Sequence, residues 1–326
     1  MKSVAKCLAV VAASLVSCAL PVLAQAPDYP SRAITIIVPY APGGQGDITA
    51  RVIAEHLAPL LGQPVTVENR AGANGVIGID AIARSAPDGY TIGVVVASHA
   101  LSPALMDSLP YDPVTSFAPI TTTALTQMVM VGSPTLEADT VGEFIAYAKE
   151  HPGELAYKSA GPGSNSHLFG AWFADAAGIE MIHVPYKGSG DSMPDLMSGV
   201  VQMGFDTLPA VQGHIDSGQL KLLAVGGPDH SPQYPDVETV AEAGIEGFAA
   251  NSWGMVLAPA GTPDAIVDKL NENIVTVLNM EAVTARFTTM GATVVGNTPA
   301  EAAAMLQSEV NLYGDLVKRL AIETNN

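Results

Sequence analysis

The chain has 326 residues, 48% of them hydrophobic, and a formal net charge of −18 at pH 7. Such a charge repels nucleic acid and anionic membrane surfaces, which excludes both as partners. An anionic ligand would also be repelled at long range, so any site for one must be built locally from helix N-termini, backbone amides and hydroxyls.

The first residues predict export. Lys2 and Lys6 form a positive start, and Leu8 to Ser17 make an apolar stretch of about ten residues, too short to span a bilayer. Val22-Leu23-Ala24 offers a small-residue cleavage pattern, which places the leader at 1–24 and the mature start near Gln25. Leu15-Val16-Ser17-Cys18 also resembles a lipobox, with Cys18 as the lipidated residue; on either reading the protein is exported, and a periplasmic location is expected. Cleavage after Ala24 removes both cysteines, Cys7 and Cys18, and takes the charge to about −20 by removing Lys2 and Lys6. Thiolate chemistry and disulfides are then excluded from the mature chain. What remains is long enough for two lobes.

Ala33 to Pro39 is a β-branched run ended by proline and predicts a buried strand. The loop Tyr40-Ala41-Pro42-Gly43-Gly44-Gln45-Gly46-Asp47 follows, then Ile48, Val52, Ile53 and Leu57 at helical spacing. Val65 to Glu68 reads as a strand, Gly75 to Arg84 as a helix, and Tyr90 to Ala97 as a strand after the turn Pro87-Asp88-Gly89. The alternation resumes beyond Val131, with helices over Val141 to Glu150 and Ser166 to Ala177. Strands are expected at Leu155 to Ser159, Met181 to Pro185, Val200 to Phe205 and Leu220 to Val225. This order predicts an α/β class with parallel sheets covered on both faces.

Ligands of open α/β sheets bind beyond the carboxyl ends of strands, where loops lead into helices. Three loops have that placement. In the first, Tyr40 to Asp47, glycines allow close backbone approach to a ligand, although a plain tight turn with Asp47 as helix cap fits equally. The second, Ser159 to His167, gathers hydroxyls and glycines at a helix start, where Ser164 or Ser166 serves either as cap or as ligand contact. The third runs from Val184 through Tyr186 and Lys187 to Gly190, and a solvated surface lysine is the plain alternative for Lys187. Nucleophile-elbow, phosphate-loop, dinucleotide and zinc patterns are missing around these loops. Glu180-Met181-Ile182-His183 is an isolated pair, and His167 suits a structural hydrogen bond better than a catalytic base.

Several segments, in order across the chain, resemble one family. They are Tyr29-Pro30, Ile36 to Gly44, Asp47, Val67 to Ala73, Pro87 to Thr91, Ser164 with Ser166-His167-Leu168, and His183 to Gly188. Asp236 to Gly244 and Ala258 to Pro263 complete the set. Together they resemble the Bug-type solute receptors of tripartite tricarboxylate transporters. The resemblance implies a type II periplasmic-binding-protein fold with lobes over 25–130 plus 252–326 and over 131–251. It implies no catalysis, no cofactor and no metal. A small carboxylate would be held through amides, hydroxyls and water, then delivered by a monomeric receptor to membrane permease subunits. By matched position the contacts implied are Tyr40, Gly44, Asp47 and Ser98 on one side, and Gly163, Ser164, Tyr186, Lys187, Asp206 and Thr207 on the other. Gln45 and Gly46 sit where such receptors vary and are expected to tune ligand choice, for which a dicarboxylate is the working expectation. The chain departs from the family at Gly227 to Pro232, where an arginine is usual, and at Glu238-Thr239, which stands in place of Pro-Thr. Two other roles fit the same loops: a sensory receptor of the same fold, and an exported hydrolase using Ser164 with His167.

Overall fold

The computed structural model describes residues 29–106, 108–162 and 164–322. The expected leader with Cys18, and Gly163, lie outside the described residues.

Strands β1 (Ile34–Val38), β2 (Val65–Asn69) and β3 (Thr91–Val96) alternate with helices α1 (Gln45–Leu61) and α2 (Val76–Ala83), and β3 leads into α3 (Ser98–Leu105). A long strand β4 (Phe117–Gly132) follows, then α4 (Val141–Glu150), β5 (Ala156–Ser159), α5 (Asn165–Ala177) and β6 (Ile182–Pro185). Next come α6 (Ser189–Ser198), β7 (Met203–Thr207), α7 (Leu208–Asp216) and β8 (Lys221–Val225). The chain returns through β9 (Asn251–Pro259) and ends with α8 (Asp264–Leu278), α9 (Glu281–Thr289), β10 (Ala292–Val294) and α10 (Pro299–Arg319).

The strands join in the order β2-β1-β3-β9-β4-β7-β5-β6, with β8 and β10 also paired to β4. Three parallel strands, β1 to β3, lie at one end, and β5 to β7 at the other, also parallel. The expectation of purely parallel sheets is corrected by the strands between them. β9 runs antiparallel to both β3 and β4, and β4 runs antiparallel to β7, β8 and β10. The cause is the way the chain crosses: Phe117 to Gln127 of β4 pair with β9, whereas Met128 to Gly132 pair with β7. One strand thus belongs to both halves.

Alternation sorts the side chains onto two faces. In β1, Ile34, Ile36 and Val38 pack with Ala50, Ile53 and Leu57 of α1 and with Val267 and Leu270 of α8, while Ile37 turns to the opposite core with Ile79 and Ile82 of α2. In β4, Met128 and Met130 face the same core as Phe144, Phe173 and Phe205, and Val129 and Val131 face Leu196, Leu208 and Val211. Both faces of the sheet are therefore covered. α10 ties the halves further: Trp253 Nε1 of β9 donates to Glu309 at 3.0 Å, and Tyr313 packs beside Phe169 of α5. A capping box fixes its start, with Thr298 accepting from the Glu301 amide and Glu301 reaching back.

In the segment Gly227 to Pro232, His230 fastens the loop. Its ring bonds the Pro235 carbonyl oxygen at 2.9 Å and the Glu242 carboxylate at 3.0 Å, and Glu242 also accepts from the Thr239 amide. The Glu242 hydrogen bond raises the His230 pKa.

Candidate functional site

Because β1, β2 and β3 are parallel, their carboxyl ends share one edge, and β5, β6 and β7 share another. Six helices start there: α1 after Gly44, α2 after Gly75, α3 after Ala97, α5 after Ser164, α6 after Gly188 and α7 after Thr207. The first-turn amides of a helix have no acceptor within the helix. Of these, only Ser164 caps its helix through a side chain; the other five N-cap residues make no such bond.

Between the two edges lies a cleft of about 390 Å³. Tyr40, Ala41 and Ser98 line it from the first half, with Ala71, Gly72 and Gly75 beside them; Ala160, Pro162 and Ser164 line it from the second. One side of α3 completes the wall with Leu101, Ser102 and Leu105, followed by Met106. Of the residues expected at the site, Tyr40, Ser98 and Ser164 meet in this cleft. Gly44, Gln45, Gly46, Asp47, Tyr186, Lys187, Asp206 and Thr207 do not form its wall.

Tyr40 and Ser98 share a hydrogen bond of 3.1 Å, and the Val96 amide donates to the Tyr40 phenol oxygen at 3.3 Å. Burial raises the Tyr40 pKa, so the phenol stays protonated. The pair has two hydroxyl protons and one mutual bond. Whichever group donates inward, the other keeps a proton for the cleft. Ser102 gives its proton to the Ser98 carbonyl at 2.7 Å, and Ser164 gives its proton to the Gly161 carbonyl at 2.7 Å.

The remaining residues of the first loop fasten it. The Asp47 carboxylate, buried at 3% exposure, accepts from the Gly43 amide at 2.9 Å, from Arg51 at 3.0 Å and from Asn69 at 2.9 Å. Those bonds, chiefly to Arg51, hold its pKa down to about 2. Asn69 also donates to the Tyr40 carbonyl, closing the loop on itself. Gly46 lies under the Tyr40 ring, where an added Cβ would stand 3.2 Å from the ring edge. Gln45 turns away to the crossing strands, donating to Thr126 of β4 at 3.0 Å and accepting from Ser252 of β9 at 3.3 Å.

The second half has its own framework. Lys158, 1% exposed in β5, pairs with Asp206, which also accepts from Ser189 at the start of α6 and from the Thr207 amide. Gly204 opposite leaves room for the Lys158 stem, which a Cβ there would overlap. Tyr186 sends its phenol to Asp195 of α6 at 2.7 Å, and burial, with that carboxylate beside it, pushes its pKa up to about 12. Lys187 is exposed. Behind the Ser159 loop the imidazoles of His167 and His183 stack at 3.8 Å, with Tyr157 against His183 and the Ser159 hydroxyl 2.6 Å from the His183 Nε2. Ser166 accepts from the Ala160 amide at 2.9 Å.

The sequence reading passes from the strand Tyr90 to Ala97 to the alternation beyond Val131 with no helix between them, and so leaves out the α3 wall. The signal was there: Ser98, Leu101, Ser102 and Leu105 recur at helical spacing on one face. It also missed Lys158, a lysine inside an otherwise buried strand.

Two parallel-stranded ends joined by crossing strands, with a cleft lined by helix starts, define an α/β periplasmic-binding-protein fold. Residues 49–322 match the tripartite tricarboxylate transporter family receptor, TctC, and the chain belongs to that family of solute-binding receptors. It is 39% identical to BugT of Bordetella pertussis over 313 residues, covering 95% of this chain and 96% of BugT. A Rhodopseudomonas palustris protein with adipate superposes with a TM-score of 0.77 at 33% identity, over 91% of this chain and 99% of that one. MatC of the same organism, with bound malate, gives 0.73 at 31% identity, over 89% of this chain and 100% of MatC.

Proposed function

We propose that this receptor captures a small carboxylate outside the cytoplasmic membrane and delivers it to the membrane permease of a tripartite tricarboxylate transporter. The observation that carries the reading is the cleft itself: Tyr40 and Ser98 face Ser164 across it at the starts of α3 and α5, and among the described residues no lining side chain is formally charged. Helix-start amides and one hydroxyl proton suit an anion held without a counter-charge. Adipate and malate in the two related structures support a carboxylate as the class.

The lobes move as units in this reading, the first formed by the chain up to residue 130 and from 252 onward, the second by 131–251. The change of partner within β4, from β9 at Gln127 to β7 at Met128, supports a hinge there. A ligand favours the closed form only through contacts that form on closure, and Gly163, Tyr186, Lys187 and Thr207 are the contacts we assign to that step. Gly44, Gln45, Gly46 and Asp47 shape the loop that presents Tyr40, and Asp206 shapes the starts of α6 and α7 on the other side. The receptor acts as a monomer, exported through its leader.

Purified protein should gain thermal stability with its ligand, since a molecule that binds only the folded state stabilises it by about 2.7 kcal/mol at a hundredfold excess over Kd. Small-angle scattering should show a smaller radius of gyration on binding. A panel of mono- and dicarboxylates, aromatic acids and acidic amino acids that moves neither quantity would refute the reading.

A further inference from the structure

We infer that the ligand is a monocarboxylate with an apolar body, its carboxylate at the Tyr40 and Ser98 end of the cleft and its body along α3 against Leu101, Leu105 and Met106. The inference rests on the receptor reading above and narrows its ligand class.

The cleft has two unlike ends. At the start of α3 the Tyr40 and Ser98 hydroxyls hold one proton in reserve, and the helix presents its first-turn amides. Further along the same face, the described residues offer no side-chain proton to a ligand. Ser102 has already donated to the Ser98 carbonyl at 2.7 Å, so its hydroxyl can only accept from a ligand. A carboxylate has no proton to offer it. Beyond Ser102 stand Leu105 and Met106, both half-buried with surface toward the cleft, and a helix rise of about 1.5 Å per residue sets them roughly 10 Å from Ser98. Leu101, on the same side, is buried beneath them.

A dicarboxylate long enough to lie along this wall would set its second charge among aliphatic groups. A desolvated carboxylate without donors is strongly unfavourable, whereas a methyl or ring at that place gains from apolar contact. In place of the dicarboxylate that was the working expectation, this inference assigns an acid charged at one end only.

Hexanoate and adipate make the test, because they share a carbon chain and differ only by the second carboxylate. Isothermal titration of the full mature protein should give a Kd for hexanoate at least tenfold below that for adipate. In the Met106→Lys variant, which sets a cation at the apolar end, that ratio should shrink or invert. Equal affinities, or tighter binding of adipate by the unaltered protein, would overturn the inference while leaving the receptor reading intact. Binding of neither acid, nor of benzoate or 4-phenylbutyrate, with dicarboxylates still bound would overturn it too. If no carboxylate of any kind binds, the receptor reading itself fails. Should Met106→Lys not fold, the comparison on the unaltered chain still decides.

Discussion

Asp47 shows how much of a cleft loop one buried carboxylate can hold. Its carboxylate gathers the Gly43 amide, Arg51 and Asn69, and Asn69 in turn holds the Tyr40 carbonyl. Asp47→Ala leaves those donors unmet and should cost about 1–3 kcal/mol, read as a lower urea midpoint. Three histidines act on stability in a different pH range. His99 has 0% exposure, its Nε2 donates to the Pro113 carbonyl, and burial pushes its pKa down to about 4. His183 is held to about 4 by burial and by its stacked neighbour His167, whose own pKa burial lowers. The unfolded chain binds these protons more tightly than the folded one. Stability is therefore full above about pH 6.5 and falls as pH drops toward 4, by on the order of 2 kcal/mol at pH 5 for His99 alone. Urea denaturation at stepped pH checks this; a flat profile over that window would contradict the assignment. The depressed Asp47 acts only lower, losing its contribution as pH falls from about 3.8 through 2.

At the scale of elements, Gln45 joins the first turn of α1 to β4 and β9 at the register pair Thr126 and Ser252. Gln45→Leu keeps the volume, removes both bonds and leaves two buried hydroxyls without that partner. The expected loss is about 1–3 kcal/mol in chemical denaturation. The alternation of strand and helix was legible in the sequence because strands such as β1 and β3 are short β-branched runs bounded by turns. β4 was not: both of its faces are buried, so Thr121-Thr122-Thr123 shows no two-residue period, and nothing local marks where its partner changes. The loops at the ends of β1 and β5 were visible from glycine and serine content, and Tyr40, Ser98 and Ser164 do meet in the cleft. The reach of Tyr186 toward Asp195, or of Asp206 toward Lys158, was not, because residue type carries no direction for a side chain.

For the whole molecule, charge and function pull against each other. A chain at −18 repels the anion it is proposed to collect, and counter-ions screen that repulsion over a Debye length of about 30 Å at 0.01 M salt and about 8 Å at 0.15 M. The association rate for a carboxylate should therefore rise with salt, measured by stopped-flow tryptophan fluorescence, while dissociation changes little. A rate that fell with salt would point to a local positive field that the cleft lining does not show.

The pairing of β3 with β9 brings Gly93 beside Leu257, and α10 packs across both halves only when nearly the whole chain is present. A nascent chain that has reached α3 has strands but no second edge to close them, and loop-closure entropy opposes such distant pairings until late. The order of synthesis thus keeps the first sheet incomplete until the C-terminal quarter arrives. For the exported receptor proposed above, that delay would be useful: the crossing strands proposed as a hinge also hold back closure of the first sheet.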